Sequence, residues 1–191
     1  PLRMKKFAIL CLSVTLLSFS SFAVVRTTAS SGDWNNNSTW GGTIPLAGDD
    51  VVISSAHTVT ININPNSIVN VTVNGILRWD ATGTARTWTV TGSFTVSGTG
   101  SFTCITPGTA TTHTFNYNGA SFTNNGTVNL VNGTNKCNMV IGGSVTQTIG
   151  GTNTLNLNKL TLNNTGGKFV IDYGDGIFTP SETAPTKLNV G

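Results

Sequence analysis

The stretch IVNVTVNGILRWDATGTARTWTVTGSFTVSGTG, Ile68 to Gly100, decides the fold. It contains short runs in which every second residue is apolar: IVNVTV at Ile68–Val73, TWTV at Thr87–Val90 and SFTV at Ser93–Val96. Alternation with period two places one set of side chains on each face of a strand, and the Gly and Asn residues between the runs supply tight corners. The same pattern runs outward in both directions. VVI at Val51–Ile53 and TVTINI at Thr58–Ile63 precede it, and TVNLV at Thr127–Val131, NTLNLNKLTL at Asn153–Leu162 and KFVI at Lys168–Ile171 follow.

The spacing of the corners identifies the architecture. Gly75, Gly100, Gly126 and Gly151 are separated by 25, 26 and 25 residues. A second series in another phase, Gly92, Gly119, Gly143, Gly167 and Gly191, is separated by 27, 24, 24 and 24. Self-similarity at this period marks a solenoid. A propeller blade needs a longer repeat, and the Leu and Asn signature of leucine-rich repeats is absent. The expected fold is therefore all-β: a single-stranded, parallel, right-handed β-helix with coils of about 25 residues. At roughly 4.8 Å per rung, five or six coils make a rod about 25–30 Å long. The Asn pairs Asn124–Asn125 and Asn163–Asn164 read either as stacked amide ladders or as turn residues.

Residues 1–23 read as three upstream residues and a signal peptide. Met4 is followed by Lys5 and Lys6, an apolar stretch from Phe7, and small residues ending at Ala23. That charged start, apolar middle and small-residue end fit cleavage after Ala23 and a secreted, extracellular protein, attached at the cell surface, whose mature chain does not insert in the membrane. Of the ten Lys and Arg residues, Arg3, Lys5 and Lys6 lie in this segment, leaving seven against seven Asp and Glu. A mature chain of about zero net charge gives no electrostatic argument for a nucleic-acid partner. Residues 24–58 form a separate block, an N-terminal cap with the first strands, in which Trp34 and Trp40 are expected to cover the first rung and Asp49 and Asp50 to satisfy backbone donors. Residues 59–191 are the coils. The second glycine series returns to phase at Gly191, so the polypeptide is expected to continue beyond it.

The motifs SGDW, STWGGTIP, GDDVVI and AHTVTI, all between Ser31 and Ile61, resemble the opening of large secreted surface proteins of Gram-negative bacteria that use type IX secretion. The block also resembles the glycine-rich β-helical domain named for its eight glycines. SVTQTIGGTNTLNLNKLTLNNTGGKFVI, Ser144–Ile171, is similar to the repeats of such proteins. The resemblance implies a surface or adhesive β-helix whose partners are cell-envelope or environmental glycans or other cell surfaces.

Chemistry is sparse. The acids outside the leader are Asp33, Asp49, Asp50, Asp80, Asp172, Asp175 and Glu182, and no two stand one period apart with a basic partner in phase. Paired acid and base roles need such proximity, so a lyase-like, polysaccharide-active enzyme is the alternative to a non-catalytic structural or adhesive segment, with no catalytic residues and no cofactor expected. Asp172 and Asp175, in DYGDG, are a candidate calcium turn short of the six to eight oxygens calcium takes. Trp79 and Trp88 are either candidate glycan-stacking surfaces, which would make the chain a carbohydrate-binding module, or core. His57 and His113 stand apart from other ligands and are assigned packing roles. Cys104 and Cys137 are separated by 33 residues, out of step with the repeat, and no disulfide between them is expected.

Overall fold

A computed structural model describes residues 23–105, 110–167, 169–172 and 189–190. The segment expected to be a signal peptide lies, Ala23 apart, outside the described residues. The chain climbs as a parallel β-solenoid, each coil passing through up to three walls. The first coil contributes β1 (Val25–Thr27), β2 (Gly32–Asp33) and a 3-10 turn at Asn37–Trp40. The second adds β3 (Asp50–Ile53) and β4 (Thr58–Ile61), and the third β5 (Val71–Val73), β6 (Ile76–Trp79) and β7 (Thr87–Val90). The fourth adds β8 (Phe94–Val96), β9 (Ser101–Cys104) and β10 (Thr111–Tyr117). The fifth adds β11 (Ser121–Asn124), β12 (Thr127–Asn129), the short β13 (Val131–Asn132) and β14 (Asn135–Ile141). Beyond these lie β15 (Gln147–Gly151), β16 (Leu155–Asn156) and β17 (Lys159–Leu162), then β18 (Phe169–Asp172) and β19 (Asn189–Val190).

Stacking sorts the strands into three sheets. Sheet A runs β1-β3-β5-β8-β11-β15-β18, sheet B runs β2-β4-β6-β9-β12-β16, and sheet C runs β7-β10-β14-β17-β19. Every pairing along these paths is parallel; the small β13 folds back antiparallel on β14. Parallel pairs need a long crossover between them, and here each crossover is the other two walls of the same coil.

The period-two pattern turns one row of each strand inward. In sheet A, Val51, Val71, Phe94, Phe122 and Ile149 stack in register. Sheet B stacks Val59, Leu77, Phe102, Val128 and Leu155, and sheet C stacks Trp88, Phe115, Met139 and Leu160. All are buried. In the middle coils these rows become an aromatic spine: Phe94 and Phe122 lie parallel at 5.0 Å, and Phe115 meets Phe94 edge-on at 5.1 Å and Phe102 at 5.4 Å. Such geometries are favourable beyond the area they bury, by ~0.5–1.5 kcal/mol per pair.

The two glycine series occupy two of the three corners. Gly75, Gly100, Gly126 and Gly151 lie where sheet A passes into sheet B, and Gly92, Gly119, Gly143 and Gly167 where sheet C passes into sheet A. The requirement is steric at Gly119, where a Cβ would overlap the carbonyl of Gly92 on the rung beneath. It is conformational at Gly143, whose φ of 88° suits only glycine without strain.

The N-terminal cap is built as expected. Trp34 and Trp40 are buried, their rings 4.9 Å apart, and the Trp40 indole Nε1 donates to the Trp34 carbonyl at 2.8 Å. Trp34 also meets Trp88 edge-on at 5.2 Å, so the cap grips the aromatic spine. Asp49 accepts from the Val24 and Leu46 amides and from Arg26, while Asp50 accepts from the amide and side chain of Asn70. The corner asparagines both close turns and bridge rungs: Asn124 Oδ1 accepts from the Gly126 amide while its side-chain nitrogen donates to the Asn153 and Thr154 carbonyls of the next rung, and Asn164 accepts from the Gly166 and Gly167 amides. Amide-to-amide bonds between rungs form elsewhere, from Asn62 to Asn35 and from Asn156 to Asn129, each at 2.8 Å.

Gly119→Ala is expected to destabilise the fold by at least ~3 kcal/mol, as a Cβ there cannot be accommodated without moving a rung. Gly98→Ala, whose nearest foreign atom would lie 3.8 Å away, should cost less than ~0.5 kcal/mol. Urea denaturation of the two variants beside the parent checks this.

Candidate functional site

The third corner, where sheet B passes into sheet C, carries its glycines differently: Gly83 and Gly133 sit within its connections at left-handed φ of 81° and 60°. Its described connections include residues 80–86, 130–134 and 157–158, shortening up the stack. Here the charged and polar groups that the walls exclude are gathered. Asp80 follows β6 and is 3% exposed; its Oδ2 accepts from Thr82 Oγ1 at 2.9 Å and pairs with Arg86 Nη2 at 3.0 Å. The Arg86 amide donates to His113 Nδ1 at 3.1 Å. His113, on β10, is fully buried, and its ring lies flat on Trp79 with centroids 4.8 Å apart and planes 13° apart. From β14, Asn135 donates to the carbonyls of Asp80 at 2.8 Å and Ile105 at 2.6 Å, tying three successive coils with one amide. Cys104 and Cys137 are buried on the inner face of the same corner. Five buried polar atoms here have no hydrogen-bond partner among the described residues: Trp79 Nε1, Asp80 Oδ1, His113 Nε2, Asn135 Oδ1 and Thr111 Oγ1.

The electrostatics fit a locked corner. Burial pushes the His113 pKa below its ordinary value, against the opposing pull of the Asp80 carboxylate. Because Nδ1 accepts an amide proton, the neutral ring carries its hydrogen on Nε2. Burial raises the Cys104 thiol to about 12 and pushes Cys137 well above its ordinary value, so neither supplies a thiolate nucleophile at neutral pH. At the far end, burial pulls Asp49 upward, but the Leu46 amide, Arg26 and the Val24 amide outweigh it and hold the carboxyl below its ordinary value.

Outside the corner lie two shallow hollows. One, of about 360 Å³, is lined by Thr111, Thr112, Thr134 and Lys136 among others; the other, of about 460 Å³, by Arg78, Ser101, Thr103 and Asn132 among others. On the outer face of sheet A, Thr72, Thr95 and Thr123 stack in register.

The residues singled out from the sequence fall as follows. Trp79 and Trp88 are 0% and 1% exposed, so neither offers a ring face to a sugar; they belong to the core because their strand rows point inward between aromatic neighbours. Asp172 is a backbone position on β18 paired with Gly150, while its side chain and all of Asp175 lie outside the described residues. Among the described residues no group of three or more His, Cys, Asp or Glu side chains comes together to hold a metal. His57 bonds Thr28 Oγ1 at 2.9 Å through Nδ1, and His113 packs; both take structural roles. Sequence reasoning missed Asn135 and the Asp80–Arg86 pair. The only signal was two opposite charges at either end of a loop, in a chain with 9% charged residues.

The class defined by these features is a Trp-capped parallel β-solenoid with two glycine corners and one polar corner. Residues 39–171, well over half the chain, match the family model of the G8 domain, and the chain belongs to the G8 domain family. No curated protein and no solved structure matches the chain.

Since the folded protein binds fewer protons at His113 than the unfolded chain, its contribution to stability is full above pH 6.5 and is lost as pH falls below that value. The Asp49 contribution is present above pH 3.8 and is lost as pH falls further, through the lowered folded value. Acid should therefore weaken the fold in two windows. His113→Asn should flatten the stability slope between pH 7.5 and 5.5 while leaving the lower window in place, as read by urea unfolding across pH.

Proposed function

We propose that the chain is a non-catalytic structural or adhesive segment of a secreted bacterial cell-surface protein. The observation carrying this reading is that, among the described residues, two of the acids, the tryptophans and the thiols are engaged internally. Asp49 and Asp80 pair with Arg26 and Arg86, the four tryptophans are buried, and both thiols are enclosed. Outward strand positions are left chiefly to Thr, Ser and Asn, as in the Thr72–Thr95–Thr123 row. Such a surface suits multiple weak polar contacts along a rod better than a single converging site. The finer reading, a Gram-negative surface protein exported by type IX secretion and contacting glycans or neighbouring cells, is supported by the SGDW, STWGGTIP and GDDVVI motifs.

The test is a glycan-array and polysaccharide-depletion screen on the purified protein, with and without calcium, followed by assay for cleavage products. Saturable binding without cleavage is the expected outcome for an adhesive segment, and silence in both assays the outcome for a spacer. Turnover would contradict the proposal and favour the polysaccharide-active alternative.

A further inference from the structure

The register that builds the third corner also aligns its two thiols. Along sheet B, Trp79 pairs with Cys104; along sheet C, His113 pairs with Cys137. Trp79 and His113 touch ring to ring across the corner. One rung further along both sheets, that contact maps onto Cys104 and Cys137. Both cysteines face inward, 2% and 0% exposed, and both thiols are free. β9 and β14 bring Cα atoms within 8 Å of each other. Asn135, which precedes Cys137 by two residues on the same inward row, bonds the carbonyl of Ile105, the residue after Cys104. The Asn132 side chain donates to the Cys104 carbonyl at 2.9 Å, pinning the same segment from the other side.

We propose that Cys104 and Cys137 are a disulfide pair that closes when the chain folds in an oxidising medium, fastening β9 of one coil to β14 of the next across the corner between sheets B and C. The separation of 33 residues does not oppose this. A bond across the core joins different walls, so the coil period places no condition on it. Closure is two thiol–disulfide exchanges with a low-molecular-weight disulfide as oxidant. One cysteine thiolate attacks the reagent's S–S bond and releases a thiol; the second thiolate then attacks the mixed disulfide and releases the other. The reagent's S–S bond breaks, the Cys104–Cys137 bond forms, and two electrons and two protons leave on the two released thiols. Burial suppresses the thiolate in the closed fold, so exchange proceeds through local opening of the corner or during folding.

The test uses the full chain carrying Cys11→Ser, so that Cys104 and Cys137 are the remaining cysteines. The folded, reduced protein is equilibrated with oxidised and reduced glutathione, alkylated under denaturing conditions and weighed by mass spectrometry. The expected result is an unalkylated monomer, two hydrogens lighter, with a peptide linking Cys104 to Cys137 and a Tm raised by roughly 5–15 °C over the reduced form. The Cys104→Ser and Cys137→Ser variants should each lose that redox-dependent shift. Two alkylated cysteines, a glutathione adduct, an intermolecular dimer, or a linked form melting no higher than the reduced one would overturn the proposal.

Discussion

The close approach of backbone to backbone at two stacked corners is the constraint on which the rest of the structure depends. At Gly119 the rung beneath presents a carbonyl where any other residue would place a Cβ, and Gly75, Gly100, Gly126 and Gly167 meet carbonyls of the rung beneath in the same way. Only glycine lets the corners descend to the spacing that parallel hydrogen bonding demands. Once that spacing is fixed, the register of all three walls follows. With it follows the alignment of like side chains into continuous inward rows.

Those rows explain the contrast between walls and third corner. Inside the walls, Phe, Trp, Leu, Ile and Val pack on their counterparts above and below, and a charge there would have no partner. Where the chain turns from sheet B into sheet C, longer connections, turned by Gly83 and Gly133, leave room for Asp80, Arg86, His113 and Asn135. The nearly buried Asp80–Arg86 pair is held through Asp80 Oδ2 alone, by the Arg86 ion pair and the Thr82 hydroxyl, while Oδ1 has no partner among the described residues. Removing one partner of such a pair typically costs ~3–5 kcal/mol. The polar corner thus specifies how the connections seat, while the aromatic spine supplies most of the driving force.

Much of the architecture was legible because its causes are local. Period-two alternation and two glycine series in different phases are direct imprints of walls and corners, and Trp34 and Trp40 stand out as large apolar groups in a polar run. The third corner was not legible, because its connections vary in length and its contacts are long-range. Nothing near Asn135 announces that its amide will reach Asp80, and nothing near Cys104 names Cys137. Trp79 illustrates the limit well. An indole on a strand can face either way, and only the partner rows, Ile61 beneath and Cys104 above, together with the His113 ring, fix its direction.

The central claim is that the aromatic side chains form an internal spine and leave the surface to small polar groups. Iodide quenching of tryptophan fluorescence tests it most directly, because the chain's four tryptophans, at positions 34, 40, 79 and 88, are all buried. The account predicts blue-shifted emission with no readily quenched fraction until the protein unfolds. A substantial fraction quenched in the native state, with red-shifted emission, would place an indole on the outside and contradict it.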